Sequence, residues 1–165
     1  MRRLLLPLAA FFIAPPALAA EPSGCDKFAW PLEKEQRLLG EARQAPLGAA
    51  LDRAAGSAVK IELQPFEAAK LPYAVERKPR NSPSWAGFVQ FGGAAAGLYK
   101  ISLSEGAWID VVQDAHKLEP VAFTGATDCP HIRKSVKFEL GPSSFALQVS
   151  DAASASIAIV ITPAE

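Results

Sequence analysis

The chain has 165 residues, with 17 Lys plus Arg against 17 Asp plus Glu, two His and two Cys, and half of it is apolar. Balanced charge excludes a nucleic-acid binder working through a strongly basic surface, and two Cys exclude a zinc ribbon or a disulfide-dense mini-protein. The length gives one domain with its own core and leaves no room for a large multidomain enzyme.

Met1-Arg2-Arg3 is a basic start, Leu4 to Ala14 is an uncharged apolar run, and Pro15-Pro16 leads into Ala17-Leu18-Ala19. This is the three-part layout of a secretory signal peptide, with small side chains at Ala17 and Ala19 where a signal peptidase reads. The apolar run falls short of the about 20 residues that cross a bilayer. Arg2-Arg3 lacks the polar neighbours of a twin-arginine signal, and Cys25 follows Pro22-Ser23-Gly24, not a lipoprotein cleavage sequence. Residues 1–19 are expected to be removed on export to the periplasm or beyond. No later stretch has the length and apolarity to insert in a membrane. In an oxidising compartment Cys25 and Cys129 pair most simply with each other, since neither has a CxxC neighbour. Closing a loop of about 100 residues is worth roughly 4–5 kcal/mol in the chain-entropy model.

Residues 20–57 form an N-terminal helix and connector. Trp30 to Gly40 predicts a short helix, with Pro31 in its first turn, Glu33 and Arg37 one turn apart, and Gly40 at the exit. Ala45 to Ala58, broken by Pro46, Gly48 and Gly56, predicts a connector with a fragment of helix near Ala49–Ala54.

Residues 58–165 form the main domain, where the apolar period becomes two. Val59, Ile61 and Leu63 alternate with polar residues, and a Pro-rich loop runs from Pro65 to Ser84. Strands are predicted at Trp85–Phe91, Leu98–Ser104, Ala107–Val112 and Leu118–Phe123, the last confined to an edge or a bulge by Pro120. Gly125 to His131 is a loop carrying Cys129. Arg133–Leu140, Phe145–Val149 and Ile157–Ile161 complete eight strands. Turn clusters between them, without a βαβ alternation, predict a mainly β antiparallel sandwich of jelly-roll type.

Gly97-Leu98-Tyr99-Lys100-Ile101-Ser102-Leu103, followed by a turn and Trp108-Ile109-Asp110-Val111, resembles the bacterial pre-peptidase C-terminal type of β-sandwich. Val136 to Leu140, a Gly-containing turn and Phe145 to Val149 extend the likeness over residues 85–162, although Ser144-Phe145 replaces the second Gly-x-Tyr. The resemblance implies a non-catalytic exported module. The chain is also similar to small exported bacterial proteins of unknown role, some labelled homogentisate 1,2-dioxygenase. That second likeness implies mononuclear iron, whose oxygenase sites use two His and one carboxylate. His116, Glu119 and His131 are the set the sequence offers, and they use both histidines in the chain.

Other constellations are sparse. No G-x-S-x-G elbow or phosphate-binding Gly-rich loop occurs. Asp110 is the one acid in an apolar strand, in line with Trp108, and reads as a hydrogen-bonded structural carboxylate or an exposed one. Trp85 and Trp108 suit a glycan-stacking platform or, at strand positions, the core. Trp30 is expected to pack the helix on the sheet. Arg77, Lys78 and Arg80, with Arg133 and Lys134, are two basic stretches suited to an anion or an acidic partner.

The expectation is an exported binding or interaction module for a protein partner or a polysaccharide, without catalysis, cofactor or nucleic acid. The alternative, from another class, is the iron-dependent oxygenase-like enzyme.

Overall fold

The computed structural model describes residues 21–53 and 56–164. The signal peptide assigned to residues 1–19 lies outside the described residues. Pro31 and Leu32 lead into helix α1 (Glu33–Gly40). The strands that follow are β1 (Arg43–Gln44), β2 (Ala50–Leu51), β3 (Val59–Glu62), β4 (Gln64–Pro65), β5 (Trp85–Phe91) and β6 (Gly97–Leu103). Then come β7 (Trp108–Gln113), β8 (His116–Leu118), β9 (Ala122–Gly125), β10 (Lys134–Leu140), β11 (Phe145–Ala152) and β12 (Ser156–Pro163).

One sheet has the order β1-β3-β12-β6-β10-β9, and the other β2-β5-β11-β7-β8 with β4 pairing β5. Without the two-residue strands and β9, the eight that remain alternate between sheets in jelly-roll order: first, eighth, third, sixth against second, seventh, fourth, fifth. Ile61, Ile101, Phe138 and Ile159 from the first sheet meet Val89, Val111, Phe145 and Leu147 from the second in one buried cluster. The period-two pattern set those inward positions.

Three details differ from expectation. No helix forms where Ala49–Ala54 is described; β2 runs there instead, and the Ala49 and Leu51 carbonyls accept from Gln90 and Gly92 along β5. Pro46 and the positive φ of Gly48 stop a helix, and the free edge of β5 supplies the alternative partner. Second, β1 and β2 add parallel to β3 and β5, so antiparallel pairing is not universal. Third, the single strand expected at Leu118–Phe123 is divided between sheets. β8 pairs with β7 and β9 with β10, while Pro120, unable to donate to a ladder, lies in the crossing.

Both outer faces of the sandwich are covered. On the first sheet, Leu32 just ahead of α1 and Leu39 within it pack with Ile132, Ala158 and Val160, and Trp30 joins them as expected. Glu35 is 1% exposed and accepts from the Thr162 hydroxyl and, at 2.8 Å, from Lys100 Nζ. Burial alone would raise the Glu35 pKa, but the bonds from Lys100 and Thr162 outweigh it and hold the carboxyl below its ordinary value. On the second sheet the Pro-rich loop is the cover, which is why all eight residues of β11 are buried although they alternate in polarity.

At one end of the sandwich, buried Arg53 donates to the carbonyls of Gly141 and Ala94 and stacks over Tyr99 at 4.8 Å. Disulfide Cys25–Cys129 ties the segment ahead of α1 to the β9–β10 loop, as the two-cysteine count predicted. Among the described residues no helix is long and apolar enough to cross a membrane.

Candidate functional site

Two carboxylates on the second sheet pin the Pro-rich loop across it. Asp110 is 5% exposed; its Oδ2 accepts from the Glu76 backbone N–H and its Oδ1 from Trp108 Nε1 at 3.0 Å. This is the hydrogen-bonded structural role. Asp151 sits in a bulge, where Ser150 and Asp151 oppose one residue of β5 and the Asp151 φ is 55°. Asp tolerates that left-handed conformation better than most side chains. The bulge turns the carboxylate toward the loop, where it accepts the backbone N–H groups of Arg80 at 2.7 Å and Asn81 at 2.8 Å. Arg77 reaches the same carboxylate at 3.4 Å.

Held this way, the loop carries Arg77 and Arg80 to the end of the sandwich where β7 and β10 begin. Arg133 and Lys134 arrive there at the start of β10, next to the tight β6–β7 turn. The two basic stretches, more than 50 residues apart in sequence, thereby line one open groove enclosing about 970 Å³. Lys78, the fifth predicted contact, is exposed and does not line it.

Trp108 organises this cluster. Its indole, oriented by Asp110, lies 4.1 Å from the Arg77 guanidinium carbon and 5.6 Å from Lys134 Nζ. Lys134 also donates to the Ala107 carbonyl at 2.8 Å. Burial, and then the charges of Arg77 and Arg133, lower the Lys134 pKa. No ion pair to Lys134 is present among the described residues, so it is compensated only by a carbonyl and a ring face. Arg133, by contrast, is paired with the Glu21 carboxylate. Glu21 is held there by the chain on either side of the disulfide: Thr127 donates its backbone N–H to the Pro22 carbonyl, and Gly24 donates to Thr127.

Trp85 and Trp108, read as a glycan platform or as core, do not form a platform. Trp85 packs on the main core, and Trp108 is engaged by the two cations. The exposed aromatic of the groove is Phe123, on edge strand β9 and 73% exposed.

The proposed iron ligands are not brought together. His116 is exposed on β8, opposite Gln113 at the far end of β7, and its Nδ1 meets only the Asp114 carbonyl of its own turn. His131 lies against Gly40 at the end of α1, three residues before Lys134, which reaches the other end of β7. Glu119 is exposed beside the crossing at Pro120. The two histidines belong to different sheets of the sandwich: β8 lies in the second, and α1, which His131 touches, covers the first. Among the described residues no group of three His, Cys, Asp or Glu side chains is placed to hold a metal ion.

Sequence reasoning missed Asp151, Phe123 and Glu35. Glu35 had a signal: with Leu32 and Leu39 it falls at i+3 and i+7, on the buried face of the helix. For Asp151 the hint was an acid ending an apolar strand, and Phe123 gave none, because a strand Phe is more often core. No family model matches the chain, and no curated protein or solved structure matches it. What the groove takes has to be read from its own side chains.

Proposed function

We propose that this protein is an exported, non-catalytic binding module, and that the groove around Trp108 is the surface that takes an acidic ligand. The observation that carries this reading is the convergence of Arg77, Arg80, Arg133 and Lys134 at one end of a sandwich whose whole chain is charge-balanced. Gathering like charges costs folding energy unless something offsets it. Asp151 and Glu21 offset Arg77 and Arg133, and among the described residues no ion pair holds Arg80 or Lys134, which are left for a ligand. A carboxylate, sulfate or phosphate seated near Lys134 would relieve its repulsion with Arg77 and Arg133.

Export rests on the signal-like residues 1–19 and agrees with the Cys25–Cys129 bridge. Amino-terminal sequencing of protein recovered outside the cytoplasm tests it, with Ala20 as the expected first residue. Binding is tested by titrating the purified protein with acidic and neutral polymers at low and high salt. Acidic polymers are expected to bind and to lose affinity steeply as salt rises. The Arg77→Met, Lys134→Met double variant should abolish that response. Equal binding of neutral and acidic polymers would refute the reading.

A further inference from the structure

Resting on the acidic-ligand reading, we infer that the ligand is a carboxylate-bearing polysaccharide, with Arg133 as the seat for a sugar carboxylate and Phe123 as the stacking face for the adjoining ring. Three observations bear on the class. First, the groove already holds a carboxylate. Glu21, largely exposed, extends from the N-terminal segment onto Arg133 and occupies the position a ligand carboxylate would take. One Glu21 oxygen accepts from one terminal nitrogen of the Arg133 guanidinium, so a carboxylate on a flexible arm reaches this cation. Glu21 therefore acts as a built-in competitor, and a polymer must displace it.

Second, apolar surface is scarce. Among the described residues Tyr73, Val121 and Phe123 are the exposed large hydrophobic side chains, and only Phe123 lines the groove. A stable contact with a folded protein buries a cluster of apolar and aromatic side chains at its centre, on about 800 Å² per partner. One ring among cations does not supply that centre. It does suit a pyranose, whose flat face of C–H groups lies on an aromatic ring while its charged substituent reaches a neighbouring guanidinium.

Third, the groove is open, and its cations come from three separate segments: the Pro-rich loop, the start of β10 and, through Lys27, the N-terminal segment. That spread suits repeated charges along a chain better than one small anion in a closed pocket.

The test is a binding titration of the disulfide-intact protein with polygalacturonate, its fully methyl-esterified form and poly-L-glutamate. Phe123→Ala and Glu21→Gln are compared with the unaltered protein after thermal melts establish that each is folded. Polygalacturonate is expected to bind, and the ester, which has the same backbone without charge, to bind at least about tenfold more weakly. Phe123→Ala should weaken polygalacturonate about tenfold and leave the weaker poly-L-glutamate binding unchanged. Glu21→Gln should tighten polygalacturonate about threefold by freeing Arg133. Poly-L-glutamate binding as tightly as polygalacturonate, or indifference to Phe123→Ala, would overturn the polysaccharide inference while leaving the acidic-ligand reading standing. Unchanged binding in Glu21→Gln would overturn the carboxylate seat on Arg133. Failure of both polyanions to bind would overturn the inference and the reading beneath it together.

Discussion

The two outer faces of the sandwich use charge in opposite ways. Under α1, Glu35 and Lys100 are buried together, and Thr162 completes the carboxylate's hydrogen bonding. At the groove, Arg77 and Lys134 crowd around an indole, with Arg133 close by in the sequence and fewer acids than cations in direct contact. The first arrangement closes on itself and serves the fold. The second remains partly uncompensated, and burial with like charge lowers the Lys134 pKa. Paired buried charge marks a structural attachment; gathered like charge at a surface opening marks a place for something outside the chain.

If the α1 side is purely structural, its variants should lower stability and leave ligand affinity nearly unchanged. The largest effect is expected from Cys25→Ser with Cys129→Ser, which should cost about 4 kcal/mol in urea unfolding. Because the bridge also positions the segment carrying Glu21, that pair is the exception that should alter binding too. Glu35→Gln comes next, at about 3 kcal/mol, because it leaves Lys100 buried without its counter-ion. Glu35→Leu with Lys100→Met should recover most of the loss, since no uncompensated charge is left.

The same pair predicts a pH dependence. The Glu35 pKa is lower in the folded protein than in the unfolded chain, so its stabilisation is fully present above the unfolded carboxyl value of about 4.3. It is lost as pH falls through the folded value. Unfolding followed from pH 6 down to pH 2 should show this acid-side loss, and it should shrink in Glu35→Gln.

On the groove side, Asp151→Ala is expected to cost about 2–3 kcal/mol, because the Arg80 and Asn81 N–H groups lose a charged acceptor. Asp151→Asn should recover part of that, since Asn also tolerates positive φ. Asp151 variants should weaken acidic-ligand binding as well, by releasing Arg77 and Arg80. The smallest stability effect belongs to Lys134→Met, within about 1 kcal/mol, yet it should reduce acidic-polymer binding and its salt dependence. Its sign follows from the lowered pKa. Charged Lys134 opposes folding at neutral pH, and that opposition fades as pH rises through its folded value. A Glu35→Gln protein that lost affinity as sharply as Lys134→Met would erase the distinction between the two faces.

The period-two run from Val59 to Ile161 determined the inward face of each main strand, because a side chain that alternates has only two directions to choose from. The cysteine count, read with the export signal expected at residues 1–19, was enough to pair Cys25 with Cys129, and the two basic stretches were visible as charge. What only the tertiary structure decided was which distant segments meet. Crossing between the sheets placed Arg77 beside Lys134 and left His116 on the second sheet and His131 against the helix that covers the first. Likewise, the cover laid over each outer face buried Glu35 and Gln148 and left Phe123 exposed. Alternation along one strand reports that a face is apolar; what packs against the opposite face depends on residues far away in the chain.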